Sequence, residues 1–209
     1  EFYGAVSSGT VMKGFYYINV GATIEAINIQ NSFIHDIVCD GGDFFDCRKG
    51  YIKSLNINNN VIYNCATERD FIRYDDTSNS FGNPIPEINI TQNTIDNCMN
   101  GANGKRILYV RFNGKKGGQR IKVANNLITN TMAVYTNQAT TSTPEYRNNY
   151  YFNCNNANIF AASDKDNSLY WNGDVSGKNG DNPNYQNPAK GQFTVMNKDI
   201  SKLKVGAQR

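Results

Sequence analysis

An eleven-residue motif that recurs along the chain constrains the fold more than any other feature. Its five copies are INIQNSFIHDI (27–37), LNINNNVIYNC (55–65), INITQNTIDNC (88–98), IKVANNLITNT (121–131) and the degenerate PEYRNNYYFNC (144–154). Successive copies start 28, 33, 33 and 23 residues apart, so the motif keeps its register while the connecting segments vary in length. Alternation dominates inside each copy and no 3.6-residue stripe is present, which argues against helical repeats.

Equivalent positions of the five copies carry like side chains. Position three holds Ile29, Ile57, Ile90, Val123 and Tyr146. Position eight holds Ile34, Ile62, Ile95, Ile128 and Tyr151. Position ten holds Asp36, Asn64, Asn97, Asn130 and Asn153. Position eleven holds Ile37, Cys65, Cys98, Thr131 and Cys154.

These positions become stacks of like residues if successive copies lie one strand spacing apart, about 4.8 Å. Apolar stacks make a core, and stacked asparagines can hydrogen-bond to one another along the axis. Asparagine also tolerates the left-handed backbone conformation that a sharp turn needs. The sequence therefore predicts an all-β fold, a right-handed single-stranded parallel β-helix. We interpret the cysteines at position eleven as small buried apolar side chains, with a reactive thiol as the alternative.

A second strand is predicted after the turn that ends each of the first three copies. The segments DFFDCR (43–48), DFIRYD (70–75) and RILYVR (106–111) align with one another. By alternation, the side chains expected to point inward are Phe45, Ile72, Leu108, Cys47, Tyr74 and Val110. The opposite face is then expected to carry Phe44, Phe71, Ile107, Asp46, Arg73, Tyr109, Arg48, Asp75 and Arg111. Side chains with chemistry collect on this outward face.

The repeat also predicts the organisation of the chain. Residues 1–163 are expected to form β-helix coils, and residues 164–209, where the repeat fails, an irregular C-terminal tail. This tail should cover the last coil or run back along the side, since an open coil end is an unpaired sheet edge. Because the sequence begins in the middle of its pattern, we expect a monomeric module from the C-terminal part of a longer β-helix.

Composition limits the partners and cofactors. The net charge of +3 is too small to indicate a nucleic-acid partner. No run of about 18 apolar residues is present, so no transmembrane segment is predicted. The five cysteines include no CxxC pair and His35 is the single histidine, which argues against a disulfide framework and a zinc site. His35 is interpreted as an ordinary surface residue.

Two neighbouring segments suggest a chemistry. A lyase of acidic polysaccharides needs a base for the proton beside the uronate carboxylate and a cation to offset the carboxylate charge. A lysine can be the base if neighbouring positive charge lowers its pKa. DGGDFFDCRKG (40–50) and ERDFIRYDD (68–76) supply acidic residues, a lysine and arginines on successive coils.

These two segments resemble the chondroitinase-B and alginate-lyase type of pectin-lyase-like β-helix. The resemblance implies that Lys49 is the base and that Arg73 is its charge-neutralising partner. It further implies a calcium ion, held by Asp43, Asp46 and Asn31, that grips the substrate carboxylate. The sequence departs from that family in having aspartates where the family has glutamates, and in lacking an Asn-Lys-Ser run around Lys49.

Two other interpretations of the outward face stay open. One is a polysaccharide-binding face without catalysis, whose substrate-binding residues would be Phe44, Arg48, Phe71, Tyr109 and Arg111. The other is purely structural, because opposite charges would be neighbours across the strands: Asp46 beside Arg73, and Asp75 between Arg48 and Arg111. The module would then be an adhesin or a spacer.

A second resemblance covers nearly the whole chain. The segments GGDFFDCRKG, RDFIRYD and NPNYQNPAKGQFTV are similar to a C-terminal β-helix domain of unknown function from Bacteroidota surface proteins. It implies a secreted or cell-surface location, with outer-membrane attachment through the missing N-terminal part, and capture or degradation of glycans. The function expected from the sequence is therefore binding or processing of a polysaccharide, with an acidic polymer preferred.

Overall fold

The structure is a computed structural model. The residues it describes are 2–3, 14–18, 21–39, 43–47, 50–65, 69–76, 87–101, 106–112, 120–131, 135–137, 145–154 and 179–209.

Three parallel sheets make up the body of the described structure. The first sheet consists of β3 (Thr23–Gln30), β6 (Tyr51–Asn58), β9 (Glu87–Thr91), β12 (Arg120–Ala124) and β15 (Glu145–Arg147). The second sheet consists of β1 (Phe2–Tyr3), β4 (Phe33–His35), β7 (Val61–Tyr63), β10 (Thr94–Asp96), β13 (Leu127–Thr129) and β16 (Tyr150–Phe152). The third sheet consists of β2 (Tyr16–Tyr17), β5 (Phe45–Cys47), β8 (Ile72–Asp76), β11 (Arg106–Phe112) and β14 (Tyr135–Asn137).

Within these three sheets, each inner strand pairs with the third strand before it and the third strand after it along the chain. The register follows the sequence repeat, since Ile57 lies between Ile29 and Ile90 in the first sheet. In the second sheet, Ile62 lies between Ile34 and Ile95 in the same way. The prediction of an all-β fold with parallel strands is confirmed.

The core lies between the sheets and is built from positions three, eight and eleven of the repeat. Ile57, Ile62, Ile90, Ile95 and Cys98 have no solvent-exposed area. Full burial of one such aliphatic side chain stabilises the fold by about 1.5–3 kcal/mol. The cysteines are all free and all buried, as the apolar interpretation predicts.

The turns between strands use a left-handed backbone at two positions of every repeat. Position ten has φ between 50° and 54° in Asp36, Asn64, Asn97, Asn130 and Asn153. Position five has φ between 52° and 60° in Asn31, Asn59, Gln92, Asn125 and Asn148. Side-chain bonds along position ten include Asn64 Nδ2 to Asp36 Oδ1, at 3.0 Å, and Asn97 Nδ2 to Asn64 Oδ1, at 2.8 Å. The stack at position ten is thus confirmed, whereas the equivalent conformation at position five was not predicted.

A third row of asparagines, at position six, is fully buried. The row consists of Asn60, Asn93, Asn126 and Asn149, and we call it the buried ladder. The Oδ1 of Asn93 accepts from both the backbone N and the Nδ2 of Asn60, each at 3.0 Å. The Nδ2 of Asn93 donates to Ile57 O at 2.9 Å and to Asn126 Oδ1 at 3.0 Å. The amides therefore satisfy backbone groups that the turn would otherwise leave buried without partners.

The C-terminal segment 179–209 packs along the outer side of the second sheet. It contains β17 (Tyr185–Asn187), antiparallel to β18 (Gln192–Val195), a 3₁₀ turn (Pro188–Lys190) and helix α1 (Lys198–Lys202). It begins beside the last repeat, where Asn179 Oδ1 accepts from Cys154 N at 2.8 Å. It ends beside the first repeat, where the Arg209 guanidinium lies 4.1 Å from the centre of the Phe33 ring.

Apolar contacts hold this segment against the sheet. Leu127 and Tyr150 form a cluster with Ile200 and Val205. Gly206 is required here, because a Cβ in its place would lie 2.9 Å from Leu127 Cβ. Segment 179–209 thus begins beside the last repeat and runs back along the outer side of the second sheet. No helix of the described residues is long and apolar enough to cross a membrane.

Candidate functional site

Three carboxylates and one arginine lie together at the third sheet, where the sequence predicts a site. Asp43, Asp46 and Asp70 have at most 1 % of their area exposed. Asp43 Oδ1 accepts a hydrogen bond from Asp70 N at 2.9 Å, and Asp43 Oδ2 lies 3.9 Å from Arg73 Nη1. Asp46 is the strand neighbour of Arg73, which confirms their predicted register. We call these four residues the acid–arginine cluster.

Electrostatics in the cluster favour a structural role. Burial raises the pKa of the Asp43 carboxyl, and the charges of Asp70 and Asp46 raise it further. The hydrogen bond from Asp70 N and the charge of Arg73 act in the opposite direction. The Arg73 side chain is only 21 % exposed and pairs with a carboxylate that has no exposed area. Its positive charge therefore interacts mainly with buried carboxyl groups of the protein.

The expected outward orientation of Phe44 and Phe71 is wrong. Both rings are fully buried, and they stack on each other with centroids 5.1 Å apart. Phe15 extends the stack, 5.3 Å from Phe44. Phe44 and Phe71 each precede the strand proper, so strand alternation does not apply to them. Rings without exposed area are not available for stacking on a sugar.

The other residues predicted for substrate contact fall partly outside the described structure. Lys49 and Arg48 lie outside the described residues. Tyr109 and Arg111 are in β11, where their backbones pair with Arg73 and Asp75 of β8 as the sequence predicts. The side chains of Tyr109 and Arg111 lie outside the described atoms. The catalytic role of Lys49 and the binding roles of Arg48, Tyr109 and Arg111 stay predictions.

The residues expected to hold calcium are not brought together. Asn31 is exposed at the turn between the first and second sheets, and its Oδ1 accepts from Asn59 Nδ2 at 2.7 Å. Asp43 and Asp46 are buried at the third sheet. In the described parts of the chain, no group of three His, Cys, Asp or Glu residues is arranged to hold a metal ion.

The cysteines and the histidine provide no reactive centre. Burial raises the pKa of Cys39 and of Cys154 to about 12, and it also raises the pKa of Cys98. Thiols with raised pKa values stay protonated and are weak nucleophiles. His35 stacks on Tyr63 at 4.7 Å, and its Nδ1 lies 2.6 Å from Asp36 Oδ2. The His35 side chain is only 12 % exposed, so the expectation of an ordinary surface residue is wrong.

The first sheet carries a polar outer side that the sequence did not mark as functional. At position two of the repeat, Asn56 Nδ2 donates to Asn28 Oδ1 and Asn89 Nδ2 donates to Asn56 Oδ1, each at 2.8 Å. We call Asn28, Asn56 and Asn89 the open ladder, because they are exposed or half-buried. In the same two strands, β3 and β6, Lys53 Nζ lies 2.9 Å from Glu25 Oε2. The signal in the sequence is asparagine at the same position of three consecutive copies.

Comparison with known families divides the chain after its second repeat. Residues 9–65 match the domain of unknown function DUF4957, and residues 88–209 match the domain of unknown function DUF5123. The second match spans more than half of the chain and contains three repeats together with the described segment 179–209. No curated protein and no solved structure matches the chain.

Proposed function

The chain belongs to the family of domains of unknown function DUF5123, and we propose that it is a right-handed parallel β-helix that binds a polysaccharide through its open ladder. Binding without cleavage is proposed. A polysaccharide ligand also implies a secreted or cell-surface location.

The strand connectivity supports the β-helical part of this proposal. Every strand of the three sheets pairs in parallel with the strand three places away in the chain. That order results when each turn of a coil adds one strand to each sheet. Connections between parallel strands of one sheet are right-handed in almost all proteins, which supports the assigned hand.

The single observation that carries the binding proposal is the geometry of the open ladder. Asn28, Asn56 and Asn89 repeat one amide per strand, so the amides recur at the strand spacing of about 4.8 Å. Each amide has two N–H donors and an oxygen with two lone pairs. The hydrogen bonds between the amides hold them in fixed orientations before any ligand arrives. A regular row of such groups suits a polymer whose hydroxyls both donate and accept hydrogen bonds.

An exposed salt bridge between β3 and β6, the strands that carry Asn28 and Asn56, supports a preference for an acidic polymer. The side chains of Lys53 and Glu25 are 58 % and 80 % exposed. A pair this exposed contributes little to stability, typically about 0–1 kcal/mol. Lys53 can therefore exchange Glu25 for a uronate carboxylate at small cost.

The acid–arginine cluster favours binding over β-elimination. In a lyase, Arg73 would have to meet the substrate carboxylate, yet it lies 3.9 Å from the buried Asp43. The burial of Phe44 and Phe71 also removes two of the expected sugar contacts from that side. The experiment therefore also includes an assay for the lyase reaction with Lys49 as base.

The test is a binding screen against polygalacturonate, alginate, chondroitin and a neutral glucan, by affinity electrophoresis and isothermal titration calorimetry. The double variant Asn56→Ala/Asn89→Ala removes two amides of the ladder. Loss of hydrogen bonds at two positions should weaken binding by about tenfold or more. Asn153→Gly is the matched control, because it removes an exposed amide at position ten of the last repeat and keeps a left-handed turn possible.

Each result has a defined meaning. Binding that the double variant loses and Asn153→Gly keeps supports the proposal. Unchanged binding by the double variant contradicts the role of the ladder, and no binding to any polymer favours a spacer. Release of unsaturated product, followed by its ultraviolet absorbance with and without calcium, would establish the lyase instead.

A further inference from the structure

A cleft separates the C-terminal segment from the beginning of the second sheet. Its volume is about 240 Å³. Its apolar floor includes Phe193 and Val61, which are buried. Its rim is polar and exposed, and consists of Gln186, Gln192, Thr194 and Arg209.

The Arg209 guanidinium is held in place at one end of the cleft. It stacks on the Phe33 ring at 4.1 Å, and its Nη2 donates to Asn59 O at 3.3 Å. A guanidinium has five N–H donors in a fixed fork that matches a carboxylate. The stacking and the single described hydrogen bond therefore orient the group and leave most of its donors for a ligand. Burial lowers the pKa of Arg209, but an arginine stays charged at neutral pH.

The other rim residues supply neutral hydrogen-bonding groups. The side chains of Gln186, Gln192 and Thr194 make no hydrogen bond to any described residue, and all three are exposed. Two amides and a hydroxyl surround an apolar floor, with a cation at the end. This combination matches a small ring that has an apolar face, several hydroxyls and one carboxylate.

We propose that this cleft binds a single hexuronate unit, with its carboxylate at Arg209 and the apolar face of its ring on the floor. Clefts for drug-sized ligands measure about 300–1,000 Å³, so this smaller cleft accommodates one sugar unit rather than an oligosaccharide. The site is separate from the open ladder, since it lies between the second sheet and segment 179–209. The choice of a sugar rests on the proposed function, whereas the choice of an anion rests on Arg209 alone.

The experiment titrates the ¹⁵N-labelled chain with galacturonate, with galactose and with acetate, and follows the amide signals by NMR. We expect galacturonate to shift the backbone signals of Gly191, Gln192 and Thr194 and the side-chain amides of Gln186 and Gln192. Galactose and acetate should each bind at least about tenfold more weakly, because galactose lacks the carboxylate and acetate lacks the sugar ring.

Two variants and a control locate the site. Arg209→Gln should weaken galacturonate binding about tenfold, since a charge-assisted hydrogen bond is lost. Lys198→Gln removes the same charge from exposed helix α1 and should leave binding within about twofold of the original chain. If Arg209→Gln lowers the unfolding midpoint, Gln192→Ala is compared instead, because it keeps the stack on Phe33. Gln192→Ala should reduce affinity several-fold at an unchanged midpoint.

The proposal is overturned by three results. They are an absence of galacturonate-dependent shifts at the cleft, equal binding of acetate and galacturonate, and equal loss in Lys198→Gln and Arg209→Gln. Failure here leaves polymer binding by the open ladder intact, and failure of the ladder variants leaves monosaccharide binding at the cleft intact. The two proposals are therefore separable.

Discussion

The buried ladder and the open ladder use the same side chain for opposite purposes. Asn60, Asn93 and Asn126 have no exposed area, and their amides bind backbone groups in the turn between the first and second sheets. In the open ladder, Asn56 and Asn89 bond along the row and to no described backbone group.

The asparagines of this chain therefore have two distinct roles, one in the core and one at the surface. An amide is uncharged, so it can be buried where a carboxylate would carry a large desolvation cost. Its two donors and its acceptor let it close a turn and bridge to the next repeat at once. On the surface, the same groups stabilise little, and each amide oxygen keeps a second lone pair that can accept a hydrogen bond from a ligand.

The largest effect is expected at the centre of the buried ladder. Asn93→Ala removes the acceptor of Asn60 N and the donor to Ile57 O, leaving both groups buried without that partner. Each unsatisfied group costs about 1–3 kcal/mol, so the free energy of unfolding should fall by about 3 kcal/mol or more. Urea unfolding measures it. A loss below about 1 kcal/mol would show that the turn is held by other contacts.

A smaller effect, with a defined dependence on pH, is expected for Asp43→Asn. The raised pKa means that the wild-type carboxyl favours folding at low pH, and that this contribution is lost as pH rises through the folded-state pKa. Asparagine keeps an oxygen that can accept from Asp70 N but carries no charge. The variant should therefore gain stability relative to wild type as pH rises from about 4, near the ordinary pKa of an aspartate, towards neutral.

The measurement for Asp43→Asn is the difference in urea midpoint between the two proteins over that pH range. Lys202→Gln is the control, since its partner Asp199 is exposed and its ion pair contributes little. A difference that is constant with pH, or that shrinks towards pH 7, would contradict the raised pKa of Asp43.

The turn stack at position ten should show a backbone effect. Asn64 is exposed with φ 54°, and its side chain bonds to Asp36 and to Asn97. Asn64→Ala loses these bonds and keeps a Cβ in the left-handed region without the polar side chain that makes this conformation tolerable, which costs about 1–2 kcal/mol. Asn64→Gly loses the same bonds without that strain, so it should be about 1 kcal/mol more stable than the alanine variant. Equal urea midpoints would mean that the side-chain bonds dominate.

The smallest change in stability is expected in the open ladder. Asn56→Ala removes hydrogen bonds to Asn28, Asn89 and Ser54, all of which have access to water. The free energy of unfolding should change by about 1 kcal/mol or less, because water replaces the lost partners. A destabilisation as large as that of Asn93→Ala would remove the distinction between the two ladders.

The repeat made the parallel strands and their register predictable. Ile57, Ile62 and Asn64 occupy positions that recur in every copy, and recurrence at a constant register implies stacking.

The buried ladder was missed for a physical reason. An asparagine in a sequence normally indicates a turn at the surface. Only the packing of the sheets shows that the Asn60 amide lies in the core.

The candidate site was less predictable than the fold. Arg73 and Asp46 were placed on adjacent strands correctly, because register follows from the repeat. Their burial could not be predicted, since it depends on how segments of variable length cover the sheet. Phe44 was assigned to the wrong side because the strand begins at Phe45, two residues later than the predicted segment 43–48. The cleft at Arg209 depends on the packing of a segment without any repeat.

The most direct test of the open ladder is an NMR titration that follows the side-chain amides of all asparagines with short oligosaccharides of the polymer that binds in the screen. We expect saturable shifts of the side-chain amides of Asn28, Asn56 and Asn89, while the amides of Asn60, Asn93 and Asn126 stay unchanged. Shifts confined to residues around Arg73, or no shifts in the open ladder at saturation, would contradict it.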